Sequence, residues 1–380
     1  MSVKTKTLKF RVYPTKRQKR EIFRQLNNHR DLYNFCLNER IDTYKLTKKS
    51  PSCFDQIKAN VPKFKNSCNV SSLQQTVRRL DKSFQNFFRR VKHGDTPGFP
   101  RFKKSFSSIE FIPTDGASLK TTTNGKQHVY IQHVGNLKLI KHREILDHSR
   151  ITLKYNLGQF FVCFTVEYTP PVVKQKNGSV GIDFGLKNFI TTSEGNVIHS
   201  PKFLKRSLIK LKKATSKRDK AEKGTSERKK KGIVVRNIYR KLLNQRSDFN
   251  HKLSCTLVRN YGTICLENID LLGLKSDIKN VNRTYDDVSW GQFTQMLNYK
   301  AESAGCQIIY VDPSYTSQTC SKCGTVREDK LELTNRTFSC LCGYKDDRDK
   351  NAARNILGLG LRSLIPESPR LGLQSVPVLS

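Results

Sequence analysis

The sequence predicts a two-part α/β chain: an N-terminal β-barrel with a helical insert, then an α/β domain bearing a helical insertion and a cysteine cluster. Three observations predict it. Strand-like segments bracket helical periodicity within residues 1–172, short apolar strands resume near residue 179, and four cysteines gather between positions 320 and 342.

The first element is Leu8-Lys9-Phe10-Arg11-Val12, where apolar and basic residues alternate as they do along a half-buried strand. Pro14 and Thr15 end it. Ile22, Leu26, Tyr33, Leu37 and Ile41 then recur at helical spacing, which predicts a long amphipathic helix with a basic outer face. A second helix opens near Ser71 or Ser72, either of which suits an N-cap. It carries Leu73, Val77, Leu80, Phe84, Phe87 and Val91 and stops at Gly94. Residues 96–104 interleave aromatic and basic side chains around Pro97, Gly98 and Pro100. Two readings stay open for this loop: it holds bases and phosphates, or Phe99 and Phe102 plug a core. Residues 105–170 are strand-rich, most clearly at 129–131 and 160–166. The helical insert therefore spans about 15–104.

Pro170, Pro171 and polar residues 174–178 read as a linker, so the second domain is expected at 178–358. Val180-Gly181-Ile182-Asp183 is a short buried strand, and residues 189–192 with 197–198 form a hairpin across 193–196. Further strands fall at 263–267 and 307–311, with a helix from Trp290 to Ala304 between them. Residues 359–380 read as a disordered tail.

Charge narrows the function. Seventy Lys and Arg against 32 Asp and Glu leave a formal net charge of +38. Such a surplus repels itself in a compact chain and points to a polyanionic partner. Nucleic acid fits, because each neutralised phosphate releases counterions. The densest run, from Pro201 to Arg246, holds 18 Lys or Arg against three acids. It is expected to be helical, broken near Gly224, and to lie on a nucleic-acid backbone. No stretch of 18 or more apolar residues could span a bilayer, and residues 1–6 lack the apolar core of a signal peptide. Seven of the eleven cysteines are dispersed and four clustered, which suggests reduced thiols in a cytoplasmic compartment plus one metal site.

Three acids carry the candidate chemistry. Asp183 ends an apolar strand, Glu267 ends another, and Asp349 sits where a helix should begin. Acids projecting from rigid elements in a basic protein need a cation or a partner Arg. Any one of them alone would read as a cap or salt-bridge partner, and it is their ordered combination that points to a metal. Mg2+ takes oxygen ligands from a few carboxylates, water and substrate phosphate. Two such ions about 3.5–4 Å apart activate a water and stabilise the leaving oxygen of a phosphodiester. Cys320-Ser321-Lys322-Cys323-Gly324 and Cys340-Leu341-Cys342-Gly343, 16 residues apart, predict a closed four-thiolate Zn2+ site holding a ribbon over about 315–345. With all four positions occupied by Cys, that zinc is structural.

In order along the chain, Gly181-Ile182-Asp183-Phe184-Gly185-Leu186-Lys187, Leu266-Glu267-Asn268-Ile269, Tyr315-Thr316-Ser317-Gln318-Thr319-Cys320 and Asp347-Arg348-Asp349-Lys350-Asn351-Ala352-Ala353 resemble successive landmarks of the TnpB (OrfB) family. Pro100-Arg101-Phe102-Lys103 resembles its front half, and the likeness covers about residues 4–358. The resemblance implies a wedge β-barrel with a helical recognition insert, then a RuvC domain of RNase H topology interrupted by a helical insertion and a zinc ribbon. It implies an RNA-guided DNA endonuclease of a transposable element, related to type V CRISPR effectors, that cuts beside a short flanking motif. Asp183, Glu267 and Asp349 would be its metal-binding triad, with Asp349 preferred over Asp347 as the acid two residues before Asn-Ala-Ala. The implied partners are a guide RNA from the transposon end and double-stranded target DNA. A monomer in a prokaryotic cytoplasm, near the nucleoid, is expected. One departure is the second knuckle, Cys-X-Cys where Cys-X-X-Cys is usual. An unguided structure-specific nuclease and a cleavage-inactive, RNA-guided binding protein stay open as alternatives.

Overall fold

In the computed structural model, residues 3–65, 68–121, 125–145, 147–169, 178–268, 289–327 and 336–364 are described. They form two compact units, Met1–Thr169 and Pro170–Ser380. The expected linker residues 170–177, Ile269 and the expected tail from 365 lie outside the described residues.

In the first unit the chain runs β1 (Lys4–Val12), α1 (Lys16–Thr47), α2 (Cys53–Phe64), α3 (Val70–Lys92), β2 (Ser108–Pro113), β3 (Gly116–Thr121), β4 (Gln127–Ile131), β5 (Gly135–Lys138), β6 (His148–Asn156) and β7 (Gln159–Tyr168). The strands join in the order β1-β7-β6-β2-β3-β4-β5. Alternation in β1 buries Leu8, Phe10 and Val12 opposite Phe164, Val162 and Phe160 of β7. The sheet curls back on itself at one corner, where Val12 bridges Leu139 and the Tyr13 amide donates to the Lys138 carbonyl at 3.2 Å. The expected barrel is thus a half-closed one.

Helix α1 is one piece of 32 residues, longer than its apolar pattern alone suggested. Its Thr15–Gln18 capping box satisfies the first free amides. Ile22 and Leu26 enter the sheet's core, whereas Leu32, Tyr33 and Leu37 pack with Leu73, Val77 and Leu80 of α3. Helix α2 was not foreseen; it is short and contains Pro62. The N-cap of α3 is Asn69, not Ser71 or Ser72: its Oδ1 accepts from the Ser72 amide at 2.9 Å. The two serines are otherwise engaged. Ser71 pairs with Asp115, and the buried Ser72 hydroxyl donates back to the Asn69 carbonyl at 2.7 Å. His29 is buried between α1 and α3, with Nδ1 2.6 Å from Thr76 Oγ1. Burial, aided by the nearby Arg79 charge, pushes its pKa down to about 3.

The second unit contains β8 (Ser179–Phe184), β9 (Asn188–Thr192), β10 (Val197–His199), α4 (Phe203–Asp219), α5 (Ser226–Asn260), β11 (Thr263–Glu267), α6 (Trp290–Ala304), β12 (Gln307–Val311), the small ribbon β13 (Thr337–Ser339) and β14 (Lys345–Asp347), and α7 (Arg348–Arg362). The sheet order is β10-β9-β8-β11-β12, with β8, β11 and β12 parallel and β9 antiparallel. Helices α4 and α5 break at Gly224, which takes φ +92° at no steric cost. Helix α7 continues to Arg362, into the stretch expected to be tail.

Period-two alternation divides this sheet between two layers. Val180, Ile182, Ile264 and Leu266 face a core with Leu257 and Val258 of α5 and Phe293 and Leu297 of α6. Aromatic edges close that side, Phe189 meeting Phe249 at 5.0 Å and Phe293 at 5.2 Å. On the opposite face Cys265 and Val311 pack on Ile356 of α7. There, a Cβ added at Gly181 would overlap the Ala353 carbonyl, and one at Gly360 would overlap Cys265. Both glycines serve close helix–sheet approach.

Folding holds His29 neutral, so the unfolded chain takes up its proton first. Stability is therefore expected to fall as pH drops from about 6.5 towards about 3. Denaturant midpoints across that window check this, and His29→Gln should flatten the slope. Gly181→Ala should cost about 1–3 kcal/mol by overpacking α7 against β8. An unchanged unfolding curve would contradict that account of the contact.

Candidate metal centre and cysteine knuckles

The strand register brings two acids side by side. Leu266 pairs with Ile182, so Glu267 and Asp183 end adjacent parallel strands. Alternation turns both away from the apolar core and onto the face that carries α7. Helix α7 adds the third acid, because Ala353 lies over Gly181 and Asp349 is one turn nearer the helix start. Elements far apart in sequence thus bring Asp183, Glu267 and Asp349 into one cluster.

Electrostatics register the crowding. Burial, then the negative charges of Glu267 and Asp349, hold the Asp183 carboxyl well above the usual carboxylate range. Burial also raises Glu267, partly offset by a 2.6 Å hydrogen bond from Thr316 Oγ1. Asp349 Oδ2 accepts from Asn188 Nδ2 at 3.4 Å, and Oδ1 lies 3.4 Å from Arg336 Nη1. Like charges around a desolvated carboxylate push a proton onto it unless a cation is bound, although among the described residues only the four cysteines gather their ligand atoms within reach of one ion. The donor set of the acids is all oxygen, which suits a hard divalent ion.

The choice between Asp347 and Asp349 has a physical basis in α7. Asp347 is the N-cap, its Oδ1 accepting from the amides of Asp349 at 3.0 Å and Lys350 at 3.1 Å. That engages its carboxylate in the helix start. Asp346 is likewise engaged, accepting from Tyr344 and Arg354, each at 2.8 Å. Of the acids in this run, Asp349 acts on Asp183 more strongly than Asp347 does.

The four clustered cysteines also meet. Their sulfurs lie within 4.8 Å of one another, with Cys320 to Cys342 at 3.8 Å and Cys323 to Cys340 at 3.6 Å. A tetrahedron with metal–sulfur bonds of about 2.3 Å has edges of about 3.8 Å, so the set can hold a zinc-sized ion. The short Cys-X-Cys knuckle does not prevent closure. The remaining seven cysteines are dispersed and form no disulfide.

Sequence reasoning missed the groups that tie the knuckles to the acids. Asn351, fully buried, accepts from the Ser321 amide at 2.9 Å and donates to the Thr319 carbonyl at 2.8 Å. Asn355 donates to the carbonyls of Thr316 and Thr319 at 2.8 and 2.7 Å. Thr316 in turn holds Glu267. The helix bearing Asp349, the first knuckle and the Glu267 side chain are therefore one hydrogen-bonded assembly. The sequence signal was an Asn pair at helical spacing beside an acid, legible only once the knuckle's position is known.

Comparisons with known proteins agree with this architecture. A "Helix-turn-helix domain" family model matches residues 1–49, a "Probable transposase" model matches 161–277 and a "Cas12f1-like, TNB domain" model matches 290–356. Over 3–49 the chain is one strand and a single long helix, so the first description does not fit its structure. A "Putative RNA-guided DNA endonuclease" of Streptomyces pristinaespiralis is 32% identical over 378 residues, covering 94% of this chain and 89% of that one. InsQ of Escherichia coli K12, with the same description, is 26% identical, covering 76% and 74%. Among solved structures, the protein in a Cas12f1–sgRNA–target DNA complex superposes with a TM-score of 0.62 at 17% identity, covering 93% of this chain and 98% of that one. That likeness is one of fold. The order of its motifs, its family matches and its near full-length relative show that the chain belongs to the TnpB (OrfB) family.

Proposed function

We propose that the chain is an RNA-guided DNA endonuclease of a transposable element, cutting target DNA beside a short flanking motif at Asp183, Glu267 and Asp349. The observation that carries the chemistry is the convergence of these carboxylates from β8, β11 and α7, with Asp183 desolvated between the other two. The sheet order and the helix layers on both faces support a RuvC-type, RNase H-like second domain over 178–358, with 201–246 as its basic insertion and 315–345 as its zinc ribbon. Residues 1–172 form the wedge, with 15–104 as its recognition insert. The full-length relative named an RNA-guided DNA endonuclease supports the targeting half of the proposal.

The three carboxylates would hold Mg2+, whose chemistry in a two-ion site is to activate water and stabilise the departing 3′ oxygen. The chain's own residues set the geometry. Asp183 and Glu267 are fixed by strand register, and Asp349 by its place in the first turn of α7. Thr316 orients Glu267 by donating to Oε1, and Asn188 orients Asp349 by donating to Oδ2. Arg336, beside Asp349, is placed to meet a negatively charged phosphate. Zn2+ at Cys320, Cys323, Cys340 and Cys342 would hold the ribbon, with no part in the reaction. Guide pairing would read sequence, leaving the protein to hold the heteroduplex by shape and charge. The +38 charge supports that division of labour, and the protein would work as a monomer on nucleoid DNA.

The test is to purify the protein from cells carrying its flanking DNA and sequence the bound RNA. A single abundant species ending in a variable segment is expected. With that RNA, Mg2+-dependent cutting of a matched plasmid should fall to background in Asp183→Ala. Heterogeneous RNA, with cutting retained on branched DNA, would replace this reading by the unguided nuclease. Guided binding without any cutting would replace it by the inactive form.

The wild-type protein is also expected to carry stoichiometric zinc by elemental analysis. Cys323→Ser should lose it and melt at lower temperature, because the ribbon has little apolar core of its own. Zinc-free protein of unchanged melting temperature would refute the structural role.

A further inference from the structure

Two adjoining cavities, about 360 and 270 Å³, open in the first unit and share Tyr33, Ser83 and Lys103 among their walls. Their walls come from α1, α3 and the loop over residues 98–108. Four cations line them: Arg79 and Arg90 from α3, Arg101 and Lys103 from the loop. Neither lining contains an acid. Asp81, on the same helix, is instead paired with Arg40 at 2.9 Å.

These cations are held by groups that leave their charge uncompensated. Arg79 lies over the Phe106 ring at 5.5 Å and donates to Ser108 Oγ at 3.0 Å. The Lys103 ammonium sits over Tyr33 at 5.7 Å. Arg90 Nη2 reaches the Gly98 carbonyl at only 3.4 Å, and its Nε is buried with no hydrogen-bond partner among the described residues. Ring faces and hydroxyls position a cation without neutralising it. Converging cations without an acid raise the free energy of the empty site, and an anion relieves it.

The loop is also fixed in advance. Asn34 Oδ1 accepts from the Lys103 amide at 2.8 Å, and its Nδ2 donates to the Lys103 carbonyl at 2.9 Å. Phe99 packs edge-on against Phe84 at 5.5 Å and Phe87 at 5.3 Å, anchoring the other end. The two readings of residues 96–104 divide by residue. Phe99 is a partly exposed anchor, Phe102 is 53% exposed, and the basic residues face an open cavity.

We propose that this cavity is a phosphate-binding subsite for a nucleic-acid backbone, with Arg79, Arg90, Arg101 and Lys103 as its cations. The inference rests on the nucleic-acid half of the proposed function and is independent of the metal centre. The backbone can be that of the guide RNA or of the target DNA, and the phosphate chemistry is the same for both.

The experiment uses full-length protein, without Mg2+, and two fluorescent probes of random sequence: a single-stranded RNA and a DNA duplex. Affinity is measured against salt for Lys103→Gln, Arg90→Gln, their double variant and the control Lys45→Gln, an exposed lysine on α1 outside the cavity. Each pocket substitution should weaken binding several-fold and lower the log–log salt slope by about 0.7 for RNA or about 0.9 for duplex. Loss confined to one probe assigns the phosphate to that nucleic acid, and loss on both assigns it to either. Slopes like wild type, or no lower than the Lys45→Gln control, overturn the proposal. If Arg90→Gln lowers the melting temperature, Lys103→Gln alone decides, since that side chain is exposed. Guided cutting by the wild type alongside unchanged pocket variants would sink the subsite and leave the nuclease standing. Pocket-dependent binding without any guided cutting would do the reverse.

Discussion

The second unit depends on how closely α7 approaches its sheet. A side chain at position 181 would meet helix backbone, and one at 360 would meet the Cys265 side chain. Without both glycines the helix would stand off, and Asp349 would move away from two acids fixed by strand register. Close packing transmits such shifts because interiors have few voids to absorb them. The arrangement of the three carboxylates therefore follows from the absence of two side chains that take no part in it.

A second constraint reaches the same helix from its other side. Asn351 and Asn355 bind backbone groups of the segment leading into the first knuckle, and Thr316 from that segment holds Glu267. These bonds are largely buried, where losing one partner leaves the other unsatisfied at about 1–3 kcal/mol. The cysteine cluster can thus affect the acids without touching them. Metal loading at the knuckles would stiffen the loop that positions Glu267.

Much of this was legible in the sequence for identifiable reasons. Strands β8, β11 and β12 are apolar runs bounded by polar turns, and their terminal acids stand out in a basic chain. The cysteines announce themselves by spacing. What was not legible depends on tertiary contact. Ser71 and Ser72 have the chemistry of an N-cap, but Asp115 and the Asn69 carbonyl engage them, leaving Asn69 to cap. Helix α2 is only 12 residues long with Pro62 inside it, and two of its three buried residues, Gln56 and Asn60, are polar. The tail boundary was placed too early: α7 runs on to Arg362, with Gly360 inside the helix against Cys265. The packing of Phe99 on Phe84 and Phe87 of α3 could not be read from the loop's own residues.

The last step concerns charge. A chain with a net +38 could readily neutralise its own acids, yet the cluster is largely spared. Lys350 and Arg354 pair with Asp346, and Arg40 pairs with Asp81 in the first unit. Arg336 lies 3.4 Å from Asp349, and the Arg348 charge partly offsets the acids around Asp183. The opposite arrangement holds in the first unit, where four cations face a cavity with no acid in its lining. Each site keeps one sign of charge uncompensated at a cost in stability, and a ligand of opposite sign removes that cost by mass action. A bound cation at the acids and a bound phosphodiester at the basic cavity would then each stabilise the fold as well as serve its function.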